Sequence, residues 1–449
     1  MNQELTMAQP GKNRLCPCGS GKKYKLCCMS QEEKNQDRQR FRTNSASQDW
    51  PDPQQIIDEL MKFSGDELKN GQPAPENNPL VAEWWANFLP HYKKMDLDRM
   101  LPLIRQFMEQ HPGEVFNLGL QQECLFELAP AMDKAGRLAE YIALLEKLRT
   151  ECPQAYLDAF APFDSGIIEY RVSLGHDQDI VPYLDNFIKF PNKAPDYLAE
   201  VIALLAITGR EAELKTLLAA TAAPLLKSAK VIGGGFAADK LLDFCYDPFL
   251  RENNCSQDAV RAVAVNMKKA GQPEREIDKE AIAASLKNFV FYNNPLDFAA
   301  FNYKSKDNHK PYAELLWRFI GFLANEIGCE LTTAHEFGKY VIKYIYFLVH
   351  EEKREMPFTF SAESLDQYIV REFTIFLNIK AVPAIGLLQG LIYFHQFLNK
   401  MEAVPRSDIN GIISASGKLF ELIVKTSVEC ASCVKRIYQT YPHFQGKVI

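Results

Sequence analysis

Four cysteines near the start of the chain have a spacing that suits a metal site. One residue separates the first two, eight residues follow, and the last two are adjacent. Zinc prefers four thiolate or imidazole ligands arranged as a tetrahedron, and short loops can supply them. A segment this small cannot bury a core of its own, so the metal would provide most of its folding free energy. The spacing predicts a zinc site, with iron in the same site or a redox or disulfide cluster as alternatives, at Cys16, Cys18, Cys27 and Cys28.

The residues around these cysteines carry positive charge. A tetrathiolate zinc has a formal charge of about −2, which neighbouring lysines offset, and Gly19 and Gly21 allow a tight turn whose amides can point at the sulfurs. One interpretation is that the lysines serve only to offset the charge of the zinc site. The alternative that we favour is a surface for an anionic partner, such as ribosomal RNA phosphate or an acidic chaperone face, with an aromatic ring in its midst. This basic surface comprises Lys12, Arg14, Lys22, Lys23, Tyr24 and Lys25.

The segment from Cys16 to Cys28 resembles the SEC-C motif, a zinc finger found at the end of the preprotein translocase motor SecA and on some methionine aminopeptidases. The residues that carry the resemblance are Cys-Pro-Cys-Gly-Ser-Gly-Lys-Lys-Tyr-Lys-Leu-Cys-Cys. Many members have histidine at the last ligand position, where this chain has Cys28. The resemblance implies that the four cysteines are the metal ligands. It also implies docking to the ribosome or to the export chaperone SecB. It does not imply motor activity, because the rest of the chain lacks the ATPase motifs.

Charge and composition restrict the function of the remaining chain. The formal net charge is −6 over 449 residues, yet residues 1–50 carry nine Lys/Arg against five Asp/Glu. An acidic body argues against a general nucleic-acid-binding protein. The polar residues 1–12 lack the apolar region of a secretory signal, and the most apolar stretch, 384–398, is too short and too polar to span a bilayer. We therefore expect a cytoplasmic protein with reduced thiols and no membrane span, in which 384–398 is a buried helix.

Helical periodicity dominates after the N-terminal segments. We expect the finger at 10–30 to be followed by a flexible polar linker with one short helix at 31–79. A helical-hairpin region is predicted at 80–230, where turns centred on Gly136, Gly175 and Gly209 are 39 and 34 residues apart, close to the tetratricopeptide period. One of its helices should begin behind Asp96, because Leu97, Met100 and the apolar residues that follow them have helical spacing.

A helical bundle is predicted at 236–449. Its last helices should span 312–328, 333–354, 362–379, 383–401 and 407–440, and Thr333 and Glu336 fit a capping box at the start of the second. The short segment 358–360 is the one candidate strand. The predicted fold is therefore all-α: a tethered zinc finger with four cysteine ligands, then a solenoid-like region of tetratricopeptide type, then a bundle.

No local catalytic motif is present in the helical body. Cys430 and Cys433 form a C-x-x-C pair that could indicate redox chemistry or a second metal. Core packing is favoured, because both would lie on one apolar stripe of the predicted helix 407–440. His335 and Glu336 lack the second histidine of a zinc protease helix, and we interpret them as residues of a helix face. His350 should lie at a helix end.

These features together predict a non-catalytic function. We expect a zinc-binding cytoplasmic adaptor whose finger docks on the ribosome or an export chaperone while the helical body binds a second protein. The alternative is an enzyme whose active site is assembled from distant residues of the helical body and is targeted by the finger. Convergent titratable side chains in a deep polar pocket would favour the enzyme.

Overall fold

Helices form nearly all of the regular structure in the described part of the chain. The computed structural model describes residues 78–119, 124–176, 179–227, 236–296, 301, 309–375, 378–402, 409–426 and 430–440. Their only strands are β1 (Thr374–Ile375) and β2 (Asn378–Ile379), an antiparallel pair in which Thr374 lies opposite Ile379. The predicted all-α body is confirmed. The finger at 10–30 and residues 31–77 of the linker lie outside the described residues.

The first helices of the body form hairpins joined by glycine turns. They are α1 (Pro79–Tyr92), α2 (Leu97–Gln110), a 3-10 helix (Pro112–Leu118), α3 (Cys124–Lys134), α4 (Leu138–Glu151), α5 (Pro153–Asp158), α6 (Phe160–Ser173), α7 (Val181–Lys189), α8 (Pro195–Ile207) and α9 (Glu211–Lys227). Asp96 is the N-cap residue of α2, as predicted, although its side chain makes no capping hydrogen bond.

Three of these hairpins have the same kind of turn. The pairs α3–α4, α6–α7 and α8–α9 each turn at a glycine with positive φ: Gly136 (72°), Gly175 (75°) and Gly209 (71°). Only glycine adopts this conformation without a steric cost, so the three residues stop one helix and allow the next to fold back. Helices α6 and α7 then pack against α8 and α9, which stacks the second hairpin on the third.

The remaining helices complete the body, and several of them pack around one central helix. They are α10 (Phe236–Asp243), α11 (Asp247–Arg251), α12 (Gln257–Lys269), a 3-10 helix (Glu274–Glu276), α13 (Lys279–Val290), α14 (Lys310–Phe322), a π-helix (Leu323–Ile327), α15 (Leu331–His350), α16 (Ala362–Phe373), α17 (Ala381–Lys400), α18 (Ile409–Thr426) and α19 (Ala431–Gln439). Helix α17 is the central one, and it packs against α8, α15, α16 and α18.

Helix α17 is the buried helix predicted at the most apolar stretch. By length and composition it could cross a membrane, but 89% of its most apolar 18-residue window is buried inside the body, as expected for a core helix. Glycines allow its close approach to α15. A Cβ atom at Gly386 would lie 2.9 Å from the Tyr340 ring, and one at Gly390 would lie 2.9 Å from Val341 Cγ2. Side chains at these two positions would therefore push the helices apart.

Four predictions for the last helices are wrong in detail. Helix α16 ends at Phe373 because the chain enters the β1–β2 hairpin, and segment 358–360 is a turn and not a strand. Helix α15 begins at Leu331 with Glu330 as its N-cap, so the supposed capping-box residues Thr333 and Glu336 lie inside the helix. The predicted helix 407–440 is two helices, α18 and α19.

The last helix, α19, contacts helices from the first part of the body. Helix α19 packs against α3 and α6 of the hairpin region as well as against α17 and α18. Asp133 at the end of α3 accepts hydrogen bonds from the backbone N–H of Ser432 (3.0 Å) and from its hydroxyl. A carboxylate from one end of the body thus caps a helix from the other end, where free backbone N–H groups favour a negative charge.

Candidate functional site

A cluster of charged side chains is buried where α10 meets α15. Lys240 on α10 forms an ion pair with Glu336 on α15, and its Nζ lies 3.6 Å from an Asp243 carboxylate oxygen. Lys240 is 6% exposed and Glu336 is 8% exposed. A buried charge is tolerated only when partners replace its lost hydration. The two helices are therefore joined by charges that depend on one another.

Asp243 is the centre of this buried charge cluster. Lys339 Nζ donates to Asp243 Oδ2 at 2.6 Å, and His335 Nδ1 lies 3.7 Å from the other carboxylate oxygen. Burial opposes ionisation of this carboxyl, yet Lys339, His335 and Lys240 outweigh it and lower the pKa of Asp243 to about 2. Asp243 is consequently ionised at every physiological pH and neutralises the cations around it.

For His335 and Lys240, in contrast, burial outweighs the attraction of Asp243 and lowers the pKa of each group. Loss of hydration lowers the pKa of His335 to about 4, so its imidazole is neutral at pH 7 and packs edge-on against Trp317, with ring centroids 5.2 Å apart. Burial also lowers the pKa of Lys240 to about 7, against the attraction of Asp243. Lys339, with a side chain 32% exposed, is the member of the cluster most open to solvent.

Asp247, the first residue of α11, is a further buried acid beside this cluster. It is 4% exposed, and Oδ2 accepts no hydrogen bond from any described residue. Burial and the nearby Glu211 carboxylate raise the pKa of Asp247 to about 7. Two groups, Asp247 and Lys240, thus titrate near neutral pH. Such groups can exchange protons, as catalytic acids and bases do.

The sequence indicates only part of this cluster. It predicts His335 and Glu336 to be residues of a helix face, and both are in fact buried among charges. The sequence does not indicate that Lys240, Asp243 and Asp247 are buried, because isolated charges on a short amphipathic helix usually face solvent. His350 ends α15, as predicted, and its Nε2 lies 2.8 Å from the hydroxyl oxygen of Tyr312. No group of three or more His, Cys, Asp or Glu side chains within the described ranges could hold a metal ion.

The residues predicted to bind metal and partner lie outside the described residues. The donor set itself fits a zinc ion, because four thiols within a glycine-containing segment can close a tetrahedron and adjacent lysines favour their ionised form. The residues concerned are Cys16, Cys18, Cys27 and Cys28 as ligands, and Lys12, Arg14, Lys22, Lys23, Tyr24 and Lys25 of the basic surface.

Comparisons with known proteins identify the N-terminal segment. The model of the SEC-C motif family matches residues 13–30. A UPF0225 protein of Serratia proteamaculans (strain 568) is 74% identical over 23 residues, which are 5% of this chain and 15% of that protein. Protein translocase subunit SecA 1 of Chlorobium chlorochromatii (strain CaD3) is 74% identical over 27 residues, 6% of this chain and 3% of that protein. The chain thus spans a small part of these relatives, and no solved structure matches it.

Proposed function

We propose that this protein is a zinc-binding cytoplasmic adaptor. Its SEC-C segment docks on the ribosome or on an export chaperone, while the all-α body binds a second protein. The observation that supports this proposal most is the joining of a SEC-C motif at residues 13–30 to a body of stacked helical hairpins. Seven cysteines of the described part are free thiols, which suits a reducing compartment.

The metal would act structurally in this adaptor. Zinc held by Cys16, Cys18, Cys27 and Cys28 would link both ends of a segment that is too small to fold alone. The lysines between the two cysteine pairs would then stand on one rigid surface. A rigid surface binds more tightly than a disordered one, because less conformational entropy is lost on binding.

The basic surface would select an anionic partner. Lys12, Arg14, Lys22, Lys23 and Lys25 carry five positive charges, and no acidic residue lies between Lys12 and Lys25. Two or three of these charges would suffice to offset a tetrathiolate site. The others suit ribosomal RNA phosphate or an acidic chaperone face, and Tyr24 can stack or pack at the centre of the contact.

The helical body would contribute a second binding surface. Stacked hairpins present extended faces that hold peptides or folded partners in many repeat proteins. Three hairpins of this body have the same glycine turn, and the second stacks on the third. Large apolar side chains are exposed in this region, among them Phe190 (45%) and Val181 (53%), and such residues are often buried by protein partners.

The buried charge cluster favours the second candidate function, an enzyme targeted by the finger. Asp247 and Lys240 titrate near pH 7, as catalytic groups often do. In this body, however, the lysines of the cluster are paired with Asp243 and Glu336. We therefore assign the cluster to holding α10 against α15, and propose the adaptor as the function of the protein.

Affinity purification separates the partners of the finger from those of the body. We expect ribosomes or an export chaperone to co-purify with the intact protein and to be lost from the Cys16→Ser/Cys18→Ser variant. The variant removes two of the four metal ligands and leaves the body unchanged. Proteins bound by the body should be retained by both forms, as identified by mass spectrometry. Retention of every partner by the variant would contradict the adaptor proposal.

A further inference from the structure

Arg149, near the end of α4, is a cation that forms no ion pair with any residue that the structure describes. Its Cζ lies 4.7 Å from the centre of the Tyr183 ring, and its Nη2 donates to the carbonyl oxygen of Pro182 at 2.7 Å. The neighbouring carboxylate of Glu146 pairs with Arg171 instead. An aromatic face and a carbonyl hold a guanidinium in place, but they leave its positive charge available to an anion.

Lys193, in the turn between α7 and α8, has the same kind of contacts. Its Nζ donates to the carbonyl oxygen of Leu157 at 2.7 Å and lies 5.5 Å from the centroid of the Phe160 ring. It too lacks an ion pair within the described ranges. The Phe160 ring also contacts the Phe190 ring, with centroids 5.9 Å apart. Because Phe190 is 45% exposed and Leu157 is 36% exposed, this cation lies beside two apolar side chains that face solvent.

One face of α7 connects the two cations. Tyr183, Asn186 and Phe190 have the spacing i, i+3 and i+7, which places them along one side of the helix. Seven helical residues span about 10 Å, so the ring contacts of Arg149 and Lys193 lie about that far apart. Asn186 donates at 2.8 Å to a buried carboxylate on α6, which fixes this face of α7 before any ligand binds. A preformed surface loses less conformational entropy on binding.

We propose that this α7 strip, formed by Arg149, Leu157, Tyr183, Asn186, Phe190 and Lys193, binds a short acidic segment of the second protein, an inference that rests on the adaptor function proposed above. Two carboxylates of the segment pair with Arg149 and Lys193, and an apolar side chain beside the second carboxylate covers Phe190 and Leu157. Asp185, the only acidic residue of α7, lies off this face of the helix and does not occupy either cation.

The two kinds of contact favour a protein segment over a nucleic acid. Charge-assisted hydrogen bonds to carboxylates give the strip its specificity for acidic residues. Phosphates of a nucleic acid could pair with the same cations, but a phosphate backbone offers no apolar group for the exposed side chains of Leu157 and Phe190. An acidic segment with an apolar residue satisfies both features of the strip.

Selection of random phage-displayed peptides on the folded, full-length protein tests this site. We expect the wild type to enrich peptides that carry two or more Asp or Glu residues and an apolar residue. An enriched peptide, measured by fluorescence anisotropy, should bind Phe190→Ser/Lys193→Glu at least about tenfold more weakly. Arg149→Gln changes only the other end of the strip and should weaken binding by itself. Circular dichroism shows whether each variant keeps the helical content and melting temperature of the wild type.

A matched control comes from α18. Leu422 is 45% exposed and lies one helical turn after the exposed Lys418, so Lys418→Glu/Leu422→Ser makes the same chemical changes elsewhere on the body. It should bind the enriched peptide as the wild type does. Equal binding by folded Phe190→Ser/Lys193→Glu and the wild type would overturn the proposal, as would enriched peptides without acidic residues. Displacement of the peptide by an equal concentration of poly(A) RNA would also overturn it, because the strip would then be a general anion site.

The α7 strip and the adaptor function can fail separately. Cellular partners of the body that bind Phe190→Ser/Lys193→Glu as well as the wild type would remove the strip and leave the adaptor function in place. Acidic peptides that require Arg149 and Lys193, with every affinity-purified partner retained by Cys16→Ser/Cys18→Ser, would support the strip and contradict the adaptor.

Discussion

One zinc ion per chain is the result expected from metal analysis of the intact protein, and none from the Cys16→Ser/Cys18→Ser variant. Two remaining thiolates cannot complete a tetrahedral site, and the described residues contain no other cluster that could hold the metal. The matched control is Cys430→Ser/Cys433→Ser, which removes the other closely spaced cysteine pair. It should retain one zinc ion. Stoichiometric zinc in the Cys16→Ser/Cys18→Ser protein would place the metal elsewhere.

The same variant should leave the helical body folded. Residues 29–49 are polar and contain almost no aliphatic side chains, so they offer little apolar surface for joining the finger to the body. We therefore expect the helical circular dichroism and the melting temperature of the body to change little when zinc is lost. A large fall in melting temperature would show that the finger is part of the folded core.

Replacing Asp243 should destabilise the body more than any surface charge change. Asp243→Asn leaves Lys240 with Glu336 as its remaining carboxylate partner in the ion network, and Lys240 is 6% exposed. Removing one partner from a buried ion network costs about 3 kcal/mol when the others stay. Chemical denaturation followed by circular dichroism measures this loss. The control is Asp258→Asn, which breaks an exposed pair with Arg261 and should change the free energy of unfolding far less.

The destabilisation caused by Asp243→Asn should become smaller as the pH falls. The pKa of Asp243 is lowered from 3.8 to about 2 on folding, so its ionised form stabilises the body above pH 3.8. This stabilisation is lost as pH falls through 2. The difference between wild type and Asp243→Asn should therefore be fully present at pH 7 and shrink toward pH 2. A difference that is the same at both pH values would show that lost packing, and not lost charge, is responsible.

Sequence periodicity predicted which segments are helical better than it predicted the residues at which each helix begins and ends. The repeated glycine turns and the apolar stretch of α17 predicted elements that the structure contains, because both are local signals. The division of 407–440 into α18 and α19 has no comparable local signal. The start of α19 is capped by Asp133 of α3, which is 299 residues from Ser432. Contacts of that range cannot be inferred from a helical pattern.

The burial of charged residues is likewise hard to predict from the sequence, because it depends on contacts between distant helices. Glu336 has helical spacing with its apolar neighbours, and sequence alone places such a carboxylate at the edge of a face. Its burial depends on Lys240, which comes from another helix and has Glu336 as its partner. Sequence could, by contrast, identify the four cysteines of the finger as a candidate site, because their ligand chemistry is contained in a short segment.

Charge reversal in the basic surface tests the docking claim most directly. Lys22→Glu/Lys23→Glu replaces two positive charges between the cysteine pairs, and the control Lys93→Glu/Lys94→Glu makes the same charge change at two exposed lysines of the body. Co-sedimentation with ribosomes and binding to an export chaperone are measured at low salt and at high salt, with zinc content measured alongside. Salt screens such contacts, since the Debye length is about 8 Å at 0.15 M.

We predict that Lys22→Glu/Lys23→Glu abolishes association while keeping one zinc ion per chain. The Lys93→Glu/Lys94→Glu control should bind as the wild type does, and high salt should weaken the wild type. Association that survives both charge reversal in the finger and high salt would contradict docking through the basic surface.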